Sequence, residues 1–366
     1  MSRSRSPALV LHAGPRARQH LLTHGLSPRD IAVIPGAAGG PKGLVLTALD
    51  QFLFGEWLRG SRQTIHLVGA SIGAWRLATA CLPDPREAFE RFARAYTGQR
   101  YEVPPGRRHP TADHVSERFA GSLRAFYDGQ VDAVLRHPRY RLHVVAARGR
   151  HLLRREHPLA TPLGYAGAFL SNALSRRALG GWLERVIFST GEGGLPFAAH
   201  DFRTRQVPLN AQNFHAALQA SCAIPFALRA VQDIPGAPPG AYWDGGITDY
   251  HLHLNYHAPA GGGGLVLYPH FQRAVVPGWL DKGLRWRHGA TPFLDNMLLL
   301  APDPAWVATL PNGKLPDRTD FARYGHGEGV AERTRAWDAA VAAGRQLADE
   351  FAAWLDRPDL SRIQPL

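Results

Sequence analysis

The sequence predicts an α/β fold built on parallel strands, and three observations carry that prediction. The apolar stretch Ile31-Ala32-Val33-Ile34 is short and bounded by Asp30 and Pro35, which suits a strand buried on both faces. It runs into a loop of small residues, PGAAGGPKG at 35–43, and then into a segment from Leu44 to Leu58 with helical apolar spacing, closed by Gly60. A second apolar stretch, Ile65 to Val68, leads through GASIG at 69–73 into another helical pattern, Ala74 to Leu82, which stops before Pro83. Strand, helix and strand in this length make a βαβ unit.

The remaining elements follow in order. Residues 1–28 read as a basic, loosely ordered lead-in with one short helix around Arg16–Thr23. Residues 110–137 are helical in pattern. Strands are expected at Tyr140–Ala146, Val186–Phe188, Ala241–Trp243 and Leu265–Tyr268, with a helix at Phe214–Ser221 that stops ahead of Pro225. After about 271 the chain becomes Trp-rich, basic and punctuated by proline. One long helix is expected from Gly329 to Leu355.

Composition narrows the function. At 366 residues and 45% hydrophobic content the chain can bury a sizeable core. No apolar run reaches the length of a membrane span, and the start carries no convincing signal-cleavage site. Two cysteines, Cys81 and Cys222, support neither a disulfide framework nor a cysteine-rich metal site, so a reducing, cytoplasmic setting is expected. The net charge is +12, and lysine stands only at 42, 282 and 314, so arginine supplies nearly all of the basic charge. The arginines are scattered among acids, so no specific nucleic-acid site is expected.

Four short patterns bear on chemistry. Gly69-Ala70-Ser71-Ile72-Gly73 fits G-x-S-x-G, in which a strand turning sharply into a helix exposes a serine hydroxyl. The loop Ala38-Gly39-Gly40-Pro41-Lys42-Gly43 opens a helix, and its free N–H groups suit an anion. It lacks the Gly-Lys-Ser/Thr of a Walker loop and the second glycine of a dinucleotide fingerprint. Both loops follow strands of one βαβ unit and emerge at the same edge of the sheet, which brings the Gly39 and Gly40 amides toward Ser71 Oγ. The third pattern, Trp243-Asp244-Gly245-Gly246, sets a carboxylate at a strand end, where an Asx turn is the plainer reading. The fourth, Ala220-Ser221-Cys222-Ala223-Ile224-Pro225, is a helix end entering a buried turn.

In this order the four patterns resemble the patatin-like phospholipase family over roughly residues 30–270. The resemblance implies a three-layer hydrolase fold with a mostly parallel central sheet and, beyond it, a C-terminal helical extension. It implies lipid acyl hydrolysis, of phospholipase A or carboxylesterase type, by a Ser–Asp dyad without histidine, metal or cofactor. Carried over by motif, Ser71 is the nucleophile and Asp244 its partner. Gly39 and Gly40, with Ala38 in the place of a usual glycine, form the oxyanion hole, and Lys42 takes the basic position. Gly69, Gly73, Gly245 and Gly246 support the two turns. The chain then divides into a lead-in at 1–28, a hydrolase domain at 29–270 and an extension at 271–366 packed on it.

Two other readings stay open. A Ser–Asp–His triad would draw its base from His251, His253, His257 or His270, which all follow Asp244 but read as polar surface or loop contacts. A silent scaffold would bind anionic lipid without turnover. Asp249 is expected to tolerate Asn, and Cys222 to be a small buried hydrophobe. The stretch 271–293 interleaves Phe271, Trp279, Trp286 and Phe293 with Arg273, Lys282, Arg285 and Arg287, which suits peripheral contact with an anionic membrane as well as it suits packing.

Overall fold

A computed structural model describes residues 6–107, 109–256, 264–325 and 327–366. Eleven strands join in one sheet: β1 (Leu9–Ala13), β2 (Ile31–Gly36), β3 (Ile65–Ala70), β4 (Tyr140–Gly149), β5 (Leu183–Ser189), β6 (Thr204–Pro208), β7 (Val231–Gln232), β8 (Ala241–Asp244), β9 (Leu265–Pro269), β10 (Met297–Pro302) and β11 (Gln364–Pro365). The main path runs β11-β1-β10-β9-β2-β3-β4-β5-β6, and β10, β9, β2, β3 and β4 are mutually parallel. Helices flank the sheet, giving an α/β fold with a mostly parallel centre. None of the helices among the described residues is long and apolar enough to cross a membrane.

The central strands are buried along most of their length because βαβ crossovers lay helices on the sheet, and their sequences are mainly apolar, with His66, Arg141 and Arg148 the partly exposed polar positions of β3 and β4. Two parallel strands joined by the crossover helix Thr47–Gly55 place Gly36 beside Gly69 in register. Both following turns therefore leave the sheet at one edge.

The register around β4 positions the site. Strand β3 pairs with the first half of β4 and ends at Ala70 opposite Val145. Strand β8, antiparallel, takes over the vacated edge and ends with Asp244 opposite Ala146. Two chains arriving from opposite directions thus terminate against neighbouring residues of one strand. Each turns away there.

Three expectations change. From Leu9 on, the expected loose lead-in is ordered structure: β1 sits between β10 and β11, and its buried Leu9 and Leu11 belong to the core. Its partner β10 lies almost three hundred residues away, inside the segment read as an extension, so the pairing has no local signal. The long C-terminal helix is two, Glu328–Ala343 and Arg345–Asp356, broken at Gly344 where the chain packs against the Val45 carbonyl. The helices Pro85–Thr97 and Ala160–Leu174 were not anticipated, and the second has no polar face to betray it.

Candidate active site

Ser71 sits between β3 and the helix Ile72–Thr79 with φ 56° and ψ −129°, a conformation that side-chain-bearing residues rarely adopt. The turn closes this tightly because Gly73 lies against the Gly36 carbonyl, where a Cβ would come within 1.8 Å of the oxygen. Its Oγ donates a 2.7 Å hydrogen bond to Asp244 Oδ2. Asp244 Oδ1 accepts the Gly246 N–H at 2.7 Å, so the turn that follows the aspartate orients its carboxylate. Both residues are buried. Gly69 lies in β3, and Gly245 opens the turn after β8.

The segment after the helix Phe214–Ser221 holds both partners. The Ser71 N–H donates to Ser221 Oγ at 2.9 Å, and the Ser221 hydroxyl donates to the Val145 carbonyl at 2.6 Å. The Asp244 N–H donates to the Ala223 carbonyl at 2.9 Å. Sequence reading singled out this segment but gave Ser221 no task. The available signal was a hydroxyl at the buried end of an apolar helix, which needs partners. Cys222 next to it is buried, and burial followed by the Asp244 charge holds its thiol far above the usual range.

The loop after β2 departs in one place from expectation. The Ala38 N–H donates to the Tyr250 carbonyl at 2.9 Å, so it is not available to an oxyanion. A side chain at this position packs inward, with Ala38 fully covered, and the peptide is tied to the turn after Asp244. Among the described residues no acceptor takes the Gly39 or Gly40 N–H. Gly40 has φ 57°, which favours glycine. Lys42 places its ammonium 5.6 Å from the centre of the Phe271 ring.

Two cavities meet here. One, about 510 Å³, is walled by Ser71, Trp75, Tyr96, Phe119, Phe226 and their apolar neighbours. The other, about 200 Å³, holds Asp244, Tyr250, Lys42, Lys282 and Arg318, with Asp317 at its side. Arg318 lines both, its Nε 3.2 Å from the point where a Cβ on Gly40 would stand. Among the described residues, none of these three cations has a side-chain hydrogen bond or ion pair, and Lys282 instead stacks 4.1 Å from the Tyr250 ring centre. Desolvation, then Arg318 and Lys42, push Lys282 down to about 8. Lys282 and Arg318 belong to no motif and come from beyond residue 270, so sequence reading missed their convergence.

Burial raises the Asp244 carboxyl above the ordinary carboxylate range. Arg318, the Ser71 hydroxyl, the Gly246 N–H and Lys282 offset part of that rise. A carboxylate in this setting is a better proton acceptor than one in water, and the bonded hydroxyl is the proton it faces.

Among the described residues, none of the candidate histidines reaches Ser71 or Asp244. His251 and His270 are fully buried and His253 nearly so; of the surface or loop contacts expected, they make the loop contacts and not the surface ones. Their ring nitrogens meet Ala274 O, Gln272 O, Val275 O and Thr291 rather than Ser71 or Asp244. Burial lowers all three, His270 to about 3, so they are neutral imidazoles packed behind the site. His257 lies outside the described residues. Asp249, expected to be dispensable, is buried and accepts two 2.7 Å bonds from the buried Arg185. The aromatic stretch divides: Phe271 is buried and Trp279 half-buried, whereas Trp286 and Phe293 are exposed.

The serine at a strained strand-to-helix turn, bonded to a carboxylate beside an apolar cavity at the edge of a parallel sheet, sits within an α/β fold with a mostly parallel central sheet. The patatin-like phospholipase family model matches residues 38–251, more than half of the chain, and the protein belongs to that family. Lipid acyl hydrolysis is the activity that membership implies. Comparison with curated proteins returns no match.

Proposed function

We propose that the protein hydrolyses carboxylic esters of acyl lipids through a Ser71–Asp244 dyad. The observation that carries this reading is the 2.7 Å bond from Ser71 Oγ to Asp244 Oδ2, with Ser71 lining the wall of an apolar cavity. As Ser71 Oγ attacks the ester carbonyl, its proton passes to Asp244 and the carbonyl oxygen takes up negative charge. The Gly39 and Gly40 N–H groups stabilise that oxyanion. Collapse breaks the bond to the alcohol, which leaves with the proton from Asp244. Water then attacks the acyl-enzyme, giving its proton to Asp244 and releasing the acid as Ser71 recovers the proton. The 510 Å³ cavity lies within the range of ligand pockets and is lined mainly by carbon, which suits the acyl chain. The alcohol portion faces Lys42, Lys282 and Arg318.

The test is labelling with a fluorophosphonate, with the modified residue mapped by mass spectrometry. The reading expects one adduct on Ser71, loss of label with Ser71→Ala, and loss of ester turnover with either Ser71→Ala or Asp244→Asn. A folded, labelled protein whose adduct maps elsewhere would dismiss the dyad.

A further inference from the structure

The helix Ala160–Leu174 turns its leucines and Phe169 outward. Its sequence, ATPLGYAGAFLSNAL, contains no charged residue. Leu163, Leu170 and Leu174, with Leu159 just before the helix, are 65%, 64%, 89% and 73% exposed. At 3.6 residues per turn these positions, together with Ala166, fall within an arc of about 80°, a single stripe along the helix. Exposed Phe169 and Leu152 widen it. The opposite face is anchored: Tyr165 packs edge-on against Trp243, and Ala168 is fully buried. The helix is therefore held in place with its apolar side in water. Contiguous exposed apolar surface of this kind marks an interaction site.

Two further observations say what covers it. The first is charge. Exposed Arg154 and Arg155 precede the stripe and exposed Arg177 follows it. Trp286, flanked by Arg285 and Arg287, stands at the C-terminal end, where Arg287 donates to the Ala173 carbonyl at 3.1 Å. The acids beside the helix are engaged: Asp281 is buried and takes Asn172 at 2.7 Å and Arg287 at 2.8 Å, and Glu156 takes Arg229 at 3.1 Å and the Ala230 N–H, which leaves Arg154, Arg155, Arg177 and Arg285 as the exposed charge. Apolar residues framed by arginines match an anionic lipid surface. The second is continuity with the cavity. Phe226 is largely exposed, lines the 510 Å³ cavity and sits 5.9 Å from the Tyr165 ring. The Arg229–Glu156 pair fastens the same rim segment to the start of the helix.

We infer that the outward face of Ala160–Leu174, with its arginine frame, docks on an anionic lipid surface and brings the cavity mouth at Phe226 against it. Of the aromatic stretch considered above, Trp286 joins this face, whereas Phe271 is buried and Trp279 half-buried elsewhere. The inference leans on the hydrolase reading only for what passes the mouth. Docking is measured without turnover, so its failure would leave that reading standing.

The experiment is co-sedimentation of the full chain with phosphatidylglycerol vesicles and, at the same salt, with phosphatidylcholine vesicles. Strong binding to the first and weak binding to the second is expected. Leu163→Asp combined with Leu170→Asp weakens binding at least ten-fold, with thermal unfolding checked alongside, and Leu174→Asp alone serves if the pair does not fold. Leu22→Asp, at an exposed position of the helix Pro15–His24 near the far end of the sheet, leaves binding unchanged. Equal affinity for neutral vesicles, or wild-type affinity in the folded aspartate variants, would overturn the inference. So would sedimentation velocity without lipid showing a wild-type dimer that those variants dissolve, since the face would then join two copies of the chain.

Discussion

Asp244 and Asp249 stand on one short turn and are both buried, yet their surroundings differ in kind. Asp249 is gripped by Arg185 through two 2.7 Å bonds, with Arg176 at 3.4 Å and Asp201 sharing Arg185 from the other side. Asp244 touches only neutral donors, a hydroxyl and a backbone N–H, while the cations Arg318 and Lys282 act on it from a distance. A carboxylate clamped to a guanidinium has its lone pairs taken up by the partner and fixes structure. One that faces neutral donors in a dry corner can accept a proton, and on the proposed dyad that difference separates the structural acid Asp249 from the reactive Asp244.

The comparison breaks most sharply in turnover. Ser71→Ala should lower ester hydrolysis by roughly four orders of magnitude or more, measured on a soluble p-nitrophenyl ester, with folding retained. Asp244→Asn should match it in turnover but not in stability. A raised pKa means the unfolded chain loses this proton at lower pH than the folded one. The folded state therefore loses stability as pH climbs from the ordinary carboxylate value through the raised one, and the deficit persists above. Asparagine removes that deficit, so urea unfolding at neutral pH should find the variant at least as stable as wild type, the gap closing at acid pH.

Asp249→Asn should do the reverse. It leaves Arg185 buried without its full counter-charge and should cost about 3–5 kcal/mol of stability by the same urea measurement. A variant as stable as wild type would erase the distinction between the two acids.

Ser221→Ala sharpens the geometry. It takes the acceptor from the Ser71 N–H and the donor from the Val145 carbonyl, so about 1–3 kcal/mol of stability should go, with kcat falling more than KM rises. The smallest effect is in pH. The acid limb of kcat/KM should lie above the ordinary carboxylate range, and Arg318→Gln should move it higher, because the arginine is the foremost charge holding Asp244 down. A limb that stays in place would remove Arg318 from the electrostatics of the site.

Much of the candidate site was legible in the residues. Ser71 is announced by glycines on both sides, and Asp244 by the two that follow it, because tight turns at strand ends restrict composition. Asp249 carries no such mark. Its partner Arg185 lies on β5, and nothing near either residue announces that a buried guanidinium awaits a carboxylate. Ala38 misled for a related reason: the motif position is right, but the fold ties its N–H to Tyr250. The exposed leucines of Ala160–Leu174 were invisible because a helix apolar on all sides does not say which side faces out.

By itself the sequence determined the βαβ unit, the elbow serine, the glycine loop and the family, since each is written in short-range spacing and in residues that a sharp turn demands. Only the tertiary structure decided that β1 and β10 pair across the chain, that β3 and β8 end against adjacent residues of β4, and that Lys282 and Arg318 reach the site from beyond the matched region. Strand pairing and burial are settled by which distant surfaces exclude water together. No window of neighbouring residues contains that choice.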